Sequence, residues 1–438
     1  MVGRVRPAGV ITPQARPLLP LVLPAVGVGV LSSLVLLVVS AVAERLFRLV
    51  WNTLPAALGV AGGSPWWTIG VLTAAGALAG LVLWKVPSGP DPATESLVGP
   101  PLPVRVLPGV TLGAVVTLAG GISLGPENPI TAINVALAFA LGPRLVPGVP
   151  GAAFSGFAAA GTIGALFGTP VAAALILSES AAGPAGRPLW DRLFGPLIAA
   201  GAGATTTVAV ANPSLAIPLP AYTAPTPMDA AGAAVVATVA CALGLVVVTL
   251  FPAAYKLFRL VPHPVARLAA AGLLLGVLGA IGGRITLFKG LDQMKELVAG
   301  HHTAAGLLLI LVVKLVAVLV AASAAFVGGR IFPVVFAGVA LGLLVHALLP
   351  AVPAAVAVSS AVLGLVLAVT QQGWLSLFTA AVVVTDPALI PVLCLAVLPA
   401  WLLVSGRPAM VVQESPPPPA KGGSSRPDGG TGDEGGRP

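Results

Sequence analysis

The chain has 438 residues, 57% hydrophobic and only 8% charged, with a mean hydropathy of +1.03. Soluble domains carry about 25% charged residues, so these figures exclude a soluble enzyme or binding module and describe a protein embedded in a membrane. The net charge of +8 forms no basic cluster that would bind nucleic acid, and Cys241 and Cys394 lie in apolar runs and imply neither a disulfide framework nor a metal site.

Residues 1–17 form a polar lead containing Arg4, Arg6 and Arg16. The first apolar run is too long and too late to be a cleaved signal. Apolar helices are expected at 18–50, 65–86, 105–121, 127–142, 151–167, 169–180 and 190–211. A Pro-rich connecting loop, 212–228, divides the chain, and a second set follows at 229–260, 264–282, 303–326, 332–348, 354–369, 371–385 and 387–405. Each set has one Gly-rich break at comparable depth, which predicts two membrane repeats, 18–211 and 229–412, of inverted topology. Residues 413–438 read as a disordered tail. Basic residues flank both ends of the apolar region (Arg407, Lys421, Arg426 and Arg437 at the far end), so the positive-inside rule places both termini in the cytoplasm.

The two breaks carry the functional signal. Gly125-Pro126-Glu127-Asn128-Pro129 opens a helix of 16 residues, Pro126 to Leu141. That is roughly 24 Å, against about 30 Å of hydrocarbon, so this helix is expected to begin inside the membrane. A helix N-terminus presents unpaired N–H donors and about half a positive charge, which favour an anion. Glu127 would occupy such a site as a tethered competitor, or merely cap its helix. In the second half, Gly328-Gly329-Arg330-Ile331-Phe332-Pro333 repeats the arrangement, with Arg330 either strengthening an anion site or anchoring the helix at a wet vestibule.

Two further stretches are weaker. Ser88-Gly89-Pro90-Asp91-Pro92 offers a hydroxyl and a backbone open to an anion, or is an ordinary loop. Glu179 ends the helix begun at Pro170, at the negative end of the helix dipole. There it would either handle protons or simply reach water.

Together these stretches resemble the CLC family of chloride channels and proton-coupled anion antiporters, in particular its YfeO-like bacterial branch of ion-transport proteins. Ser88-Gly89 is similar to the family's G-S-G-I-P, Gly125 to Pro129 to its G-K/R-E-G-P, and Gly328 to Pro333 with Gly338 to its G-G-x-F-x-P…G. Gly161 to Glu179 and Phe378 to Asp386 resemble further family segments, and the likeness covers about residues 20–412. It implies an all-α polytopic membrane protein with a CLC-like inverted repeat of tilted and partial helices. It also implies a homodimer in the bacterial plasma membrane. Glu127 would be the gate, with the anion held by Ser88, Gly89, Gly125, Asn128, Gly329, Arg330 and Ile331. The family's second proton-path glutamate falls at Ser180, next to Glu179, and its anion-coordinating tyrosine falls at Met410.

Those departures weaken strict exchange and lead to an expectation of passive or weakly coupled transport of a small inorganic anion, chloride first, with proton-coupled exchange of chloride or fluoride through Glu179 as the alternative. No cofactor, metal or catalysis is expected: H-E-x-x-H is absent, and the only histidines are His263, His301, His302 and His346. Lys289, Asp292, Lys295 and Glu296 read as one solvated face of a short helix, and Lys314 and Asp386 as vestibule or helix-end charges.

Overall fold

The computed structural model describes residues 16–61, 63–180, 188–211, 214–222 and 225–412, with the side chain of Ser180 left out. Most of the polar lead, the tail 413–438 and parts of the connecting loop lie outside the described residues.

The fold is all-α. Its elements are α1 (Val22–Arg48), the short α2 (Leu54–Ala57), α3 (Pro65–Lys85), α4 (Leu107–Gly120), α5 (Glu127–Leu145), α6 (Gly151–Phe167), α7 (Pro170–Ser180) and α8 (Leu189–Val210). The second half contains α9 (Pro227–Arg259), α10 (Pro264–Gly282), α11 (Leu291–Ala299), α12 (Ala304–Ser323), α13 (Ile331–Leu348), α14 (Ala354–Thr370), α15 (Gly373–Val384) and α16 (Leu389–Val404). Among the described residues, 7 helical stretches are long and apolar enough to cross a membrane, and shorter apolar helices lie between them.

Apolar surface cannot drive helix association inside lipid, so close backbone approach must. The pairing of α3 with α10 depends on it: a Cβ at Gly76 would overlap the carbonyl of Leu268, and one at Gly272 that of Leu72. At the centre stands α14, buried from Ala355 to Val369 and packed against α9 and α13.

The first break follows α4, whose end turns at Gly121 in the left-handed region (φ 87°). The second lies between α12 and α13. They meet in the middle of the molecule: Gly125 and Gly329 donate their N–H groups to each other's carbonyls at 2.8 and 2.7 Å. α5 is longer than expected. Pro143 sits in its last turn, where one missing donor does not end the helix, and the 19 residues span roughly 28 Å. Its buried starting point, rather than its length, makes it a partial helix.

Candidate functional site

The glycine bridge brings the N-termini of α5 and α13 together, and Glu127 fills the space between them. It is fully buried. Its Oε1 accepts the Ile331 N–H at 2.7 Å and the Phe332 N–H at 3.4 Å, so the carboxyl group of one broken helix sits on the positive end of the other. Oε2 has no hydrogen-bond partner among the described residues. A Cβ at Gly125 or at Gly329 would overlap this carboxyl group, which explains why both positions lack a side chain.

Arg330 is buried as well, but its guanidinium turns away from Glu127. It donates to the carbonyls of Ala93 at 3.0 Å, Pro92 at 3.2 Å and Met410. Three distant segments are thereby tied at one point. Met410, at the position of the expected tyrosine, contributes backbone: its N–H donates to the Val369 carbonyl at 3.0 Å. Asn128 leans on the same region, its Nδ2 3.4 Å from the Glu95 carbonyl.

Cavities open on both sides of Glu127 in the chain. Pro126 lines one of about 160 Å³ with Glu44, Phe288, Lys289 and Asp292. Asn128 and Ile331 line another of about 80 Å³ with Glu95, Ser96 and Gln372, and Glu95 and Ser96 also line a third of about 310 Å³. Gln293 in the first and Gln372 in the second each carry a buried oxygen without a partner among the described residues, as is usual where water or an ion completes the bonding.

Behind the first break, Lys314 of α12 is fully buried. Its Nζ donates to Phe288 O at 2.8 Å, to Thr286 O and Leu287 O at 3.1 Å, and to Ser123 Oγ at 3.2 Å. This cation fixes the loop before α11 against the stretch leading to Glu127. It also helps hold Phe288 at a φ of 64°, a region that bulky side chains avoid. Lys314 is therefore an internal clamp, not a vestibule charge. Asp386 is a helix-end charge: it accepts the Ala388 N–H at 3.0 Å at the start of α16 and the Tyr222 N–H at 2.9 Å.

The site brings together Gly125, Glu127, Asn128, Gly329, Arg330 and Ile331. It does not bring in Ser88 or Gly89, which line a separate open cleft with Lys85 and Arg105. The reason is local. Gly109 of α4 packs on the Pro87 carbonyl, and Gly89 (φ 83°) turns the chain toward Val106. The chain is buried at Pro92 and Ala93, whose carbonyls Arg330 holds, and the residues just beyond the Pro92–Thr94 turn, Glu95 and Ser96, line the cavities instead. In the sequence Glu95 stands in the short segment just beyond a Pro-rich break, a signal that spacing alone ties to no role. Glu179 is exposed, and its Oε1 accepts the Trp374 N–H at 2.8 Å, on the N-terminus of α15. That amide answers the unfavourable dipole of its own helix.

Comparison with known proteins agrees with this architecture. Residues 75–405 match the family described as "Voltage gated chloride channel". The chain is 50% identical over 406 residues to "Putative ion-transport protein YfeO" of Escherichia coli O9:H4 (strain HS), covering 92% of this chain and 97% of that one. Among solved structures it is similar to a slow cyanobacterial Cl-/H+ antiporter, with TM-score 0.76 and 15% identity over 89% of this chain and 96% of that one. A CLC-type fluoride/proton antiporter gives TM-score 0.72 and 19% identity over 88% and 95%. At such identities these two structures bear on the fold alone.

Proposed function

Because the chain belongs to the CLC family, the voltage-gated chloride channels and their anion-transporting relatives, we propose that it moves a small inorganic anion, chloride first, past Glu127. The observation that carries this reading is the Glu127 carboxyl group on the Ile331 N–H, with cavities before and after it. A carboxylate there makes the contacts a bound anion would make. Anion and side chain then compete for one positive helix end, and removing the negative charge by protonation yields the site to the anion. Asn128 and the backbone of Gly125, Gly329 and Arg330 frame the site. Transport is passive or weakly coupled, the working unit is a homodimer, and both termini face the cytoplasm.

A second reading is proton-coupled exchange of chloride or fluoride with Glu179, whose Oε1 holds the Trp374 N–H at the start of α15, in the proton path; the two structural neighbours are themselves antiporters.

Anion efflux from proteoliposomes tests the gate. Glu127→Gln is expected to raise efflux and weaken its dependence on pH. Unchanged flux with an unchanged pH response overturns the assignment.

A further inference from the structure

Glu95 is the acidic side chain that stands in the walls of both cavities on the Asn128 side of the gate. Neither the motif resemblance nor the reading above gives it a part. The smaller cavity touches Ile331, whose N–H holds Glu127, so Glu95 faces the same space that an anion leaving that amide would enter. Its backbone is fixed to the gate segment through Asn128 Nδ2. It sits immediately after the turn that Asp91 caps at the Ala93 N–H, and α13 holds that turn through Arg330.

The charges around Glu95 are otherwise committed. From the start of α13, the charge of Arg330 acts on it, but that guanidinium serves three carbonyls, and no ion pair joins it to Glu95 among the described residues. From α5, Glu127 is engaged with α13. On the same loop, Asp91 is paired with Arg259 of α9 and accepts the Tyr255 hydroxyl at 2.9 Å. α14, α15 and the link between them present Val369, Thr370, Gln372 and Leu375, and the segment after α16 presents Ala409 and Val411, none of them charged. A carboxylate here lies on the route of an anion with no cation of its own.

We propose that Glu95 is a second proton-binding group of the anion route, which admits the anion when neutral and repels it when charged. The proposal rests on the anion-transport reading. Burial pushes the Glu95 carboxyl up to about 7, against the opposing pull of Arg330. Its charge therefore changes within the physiological range, whereas an exposed glutamate would stay ionised there.

The test isolates Glu95 by first removing the gate. Chloride efflux is measured from proteoliposomes of Glu127→Gln and of the double variant Glu127→Gln/Glu95→Gln at several pH values, equal on both sides. One carboxyl titrating near 7 is about nine-tenths neutral at pH 6 and one-tenth neutral at pH 8, so the single variant should lose roughly ninefold of its efflux over that interval. The double variant should hold the higher rate throughout, and Glu127→Gln/Glu95→Asp should keep a pH response. A single variant indifferent to pH, or a double variant that still responds, overturns the proposal.

Calorimetric titration of chloride into the same detergent-solubilised proteins separates the two ideas. If no protein moves chloride or fluoride, the transport reading fails. Chloride binding that weakens from pH 6 to pH 8 only when Glu95 is present would still sustain its part. Binding with the same pH dependence in both variants would remove it.

Discussion

A methyl group at Gly329 would overlap the Glu127 carboxyl group. Gly329 is not held in the left-handed region, so alanine suits its backbone and the conflict is one of space alone. Gly329→Ala is therefore expected to push the carboxyl group off the Ile331 amide. A hydrogen bond to a charged group contributes about 1.5–3 kcal/mol. Its loss would relieve the competition with the anion by roughly 10- to 100-fold, at 1.4 kcal/mol per factor of ten. Anion efflux should rise accordingly, and adding Glu127→Gln should bring no further gain, because both changes remove one interaction. A folded Gly329→Ala protein with unchanged efflux, or full additivity with Glu127→Gln, would show that the two residues do not share one space.

At the scale of elements, the site depends on how α5 and α13 are held with their N-termini facing. The glycine bridge joins the breaks directly, Lys314 secures the first from behind, and Arg330 binds the start of α13 to the turn before Glu95 and to the segment after α16. In Arg330→Ala, the carbonyls of Pro92, Ala93 and Met410 lose their donor, at about 1–3 kcal/mol for each group left unpaired. The expected result is local: amide hydrogen exchange should accelerate at Met410 and Val412, which bond to Val369 and Ala93, and stay slow within α14. Uniform acceleration would mean that Arg330 supports the whole fold rather than this junction. Much of this level was legible in the sequence. Apolar runs separated by Gly and Pro placed the helices, and the two breaks marked the stretches that the structure brings together around Glu127. The surroundings of Glu95 and Lys314 and the position of Ser88 were not legible, because each depends on which way a loop turns. Gly89, with φ 83°, sets its loop against Val106, and Lys314 finds its carbonyl acceptors nearly thirty residues earlier in the chain. Spacing along a helix records neither.

At the scale of the whole molecule, the mechanism turns on whether anions and protons move together. Glu127 and Glu95 would be two proton-binding groups with an anion site between their cavities, an arrangement that serves either function. In a conduit, each carboxyl group equilibrates with its own side and only sets the rate. In an exchanger, a proton passes from one to the other each time the anion leaves the helix ends. Proteoliposomes with the membrane potential fixed by valinomycin and potassium, and with external pH followed during chloride efflux, distinguish these cases. Because the motif resemblance puts Ser180 and Met410 at the family's proton-path glutamate and anion-coordinating tyrosine, chloride efflux is expected to bring little or no proton movement in the opposite direction. Stoichiometric proton uptake would overturn the passive reading. Repeating that measurement with Glu179→Gln and with Glu95→Gln would then identify the relay: the variant that keeps chloride efflux but loses proton movement lacks the group through which protons pass.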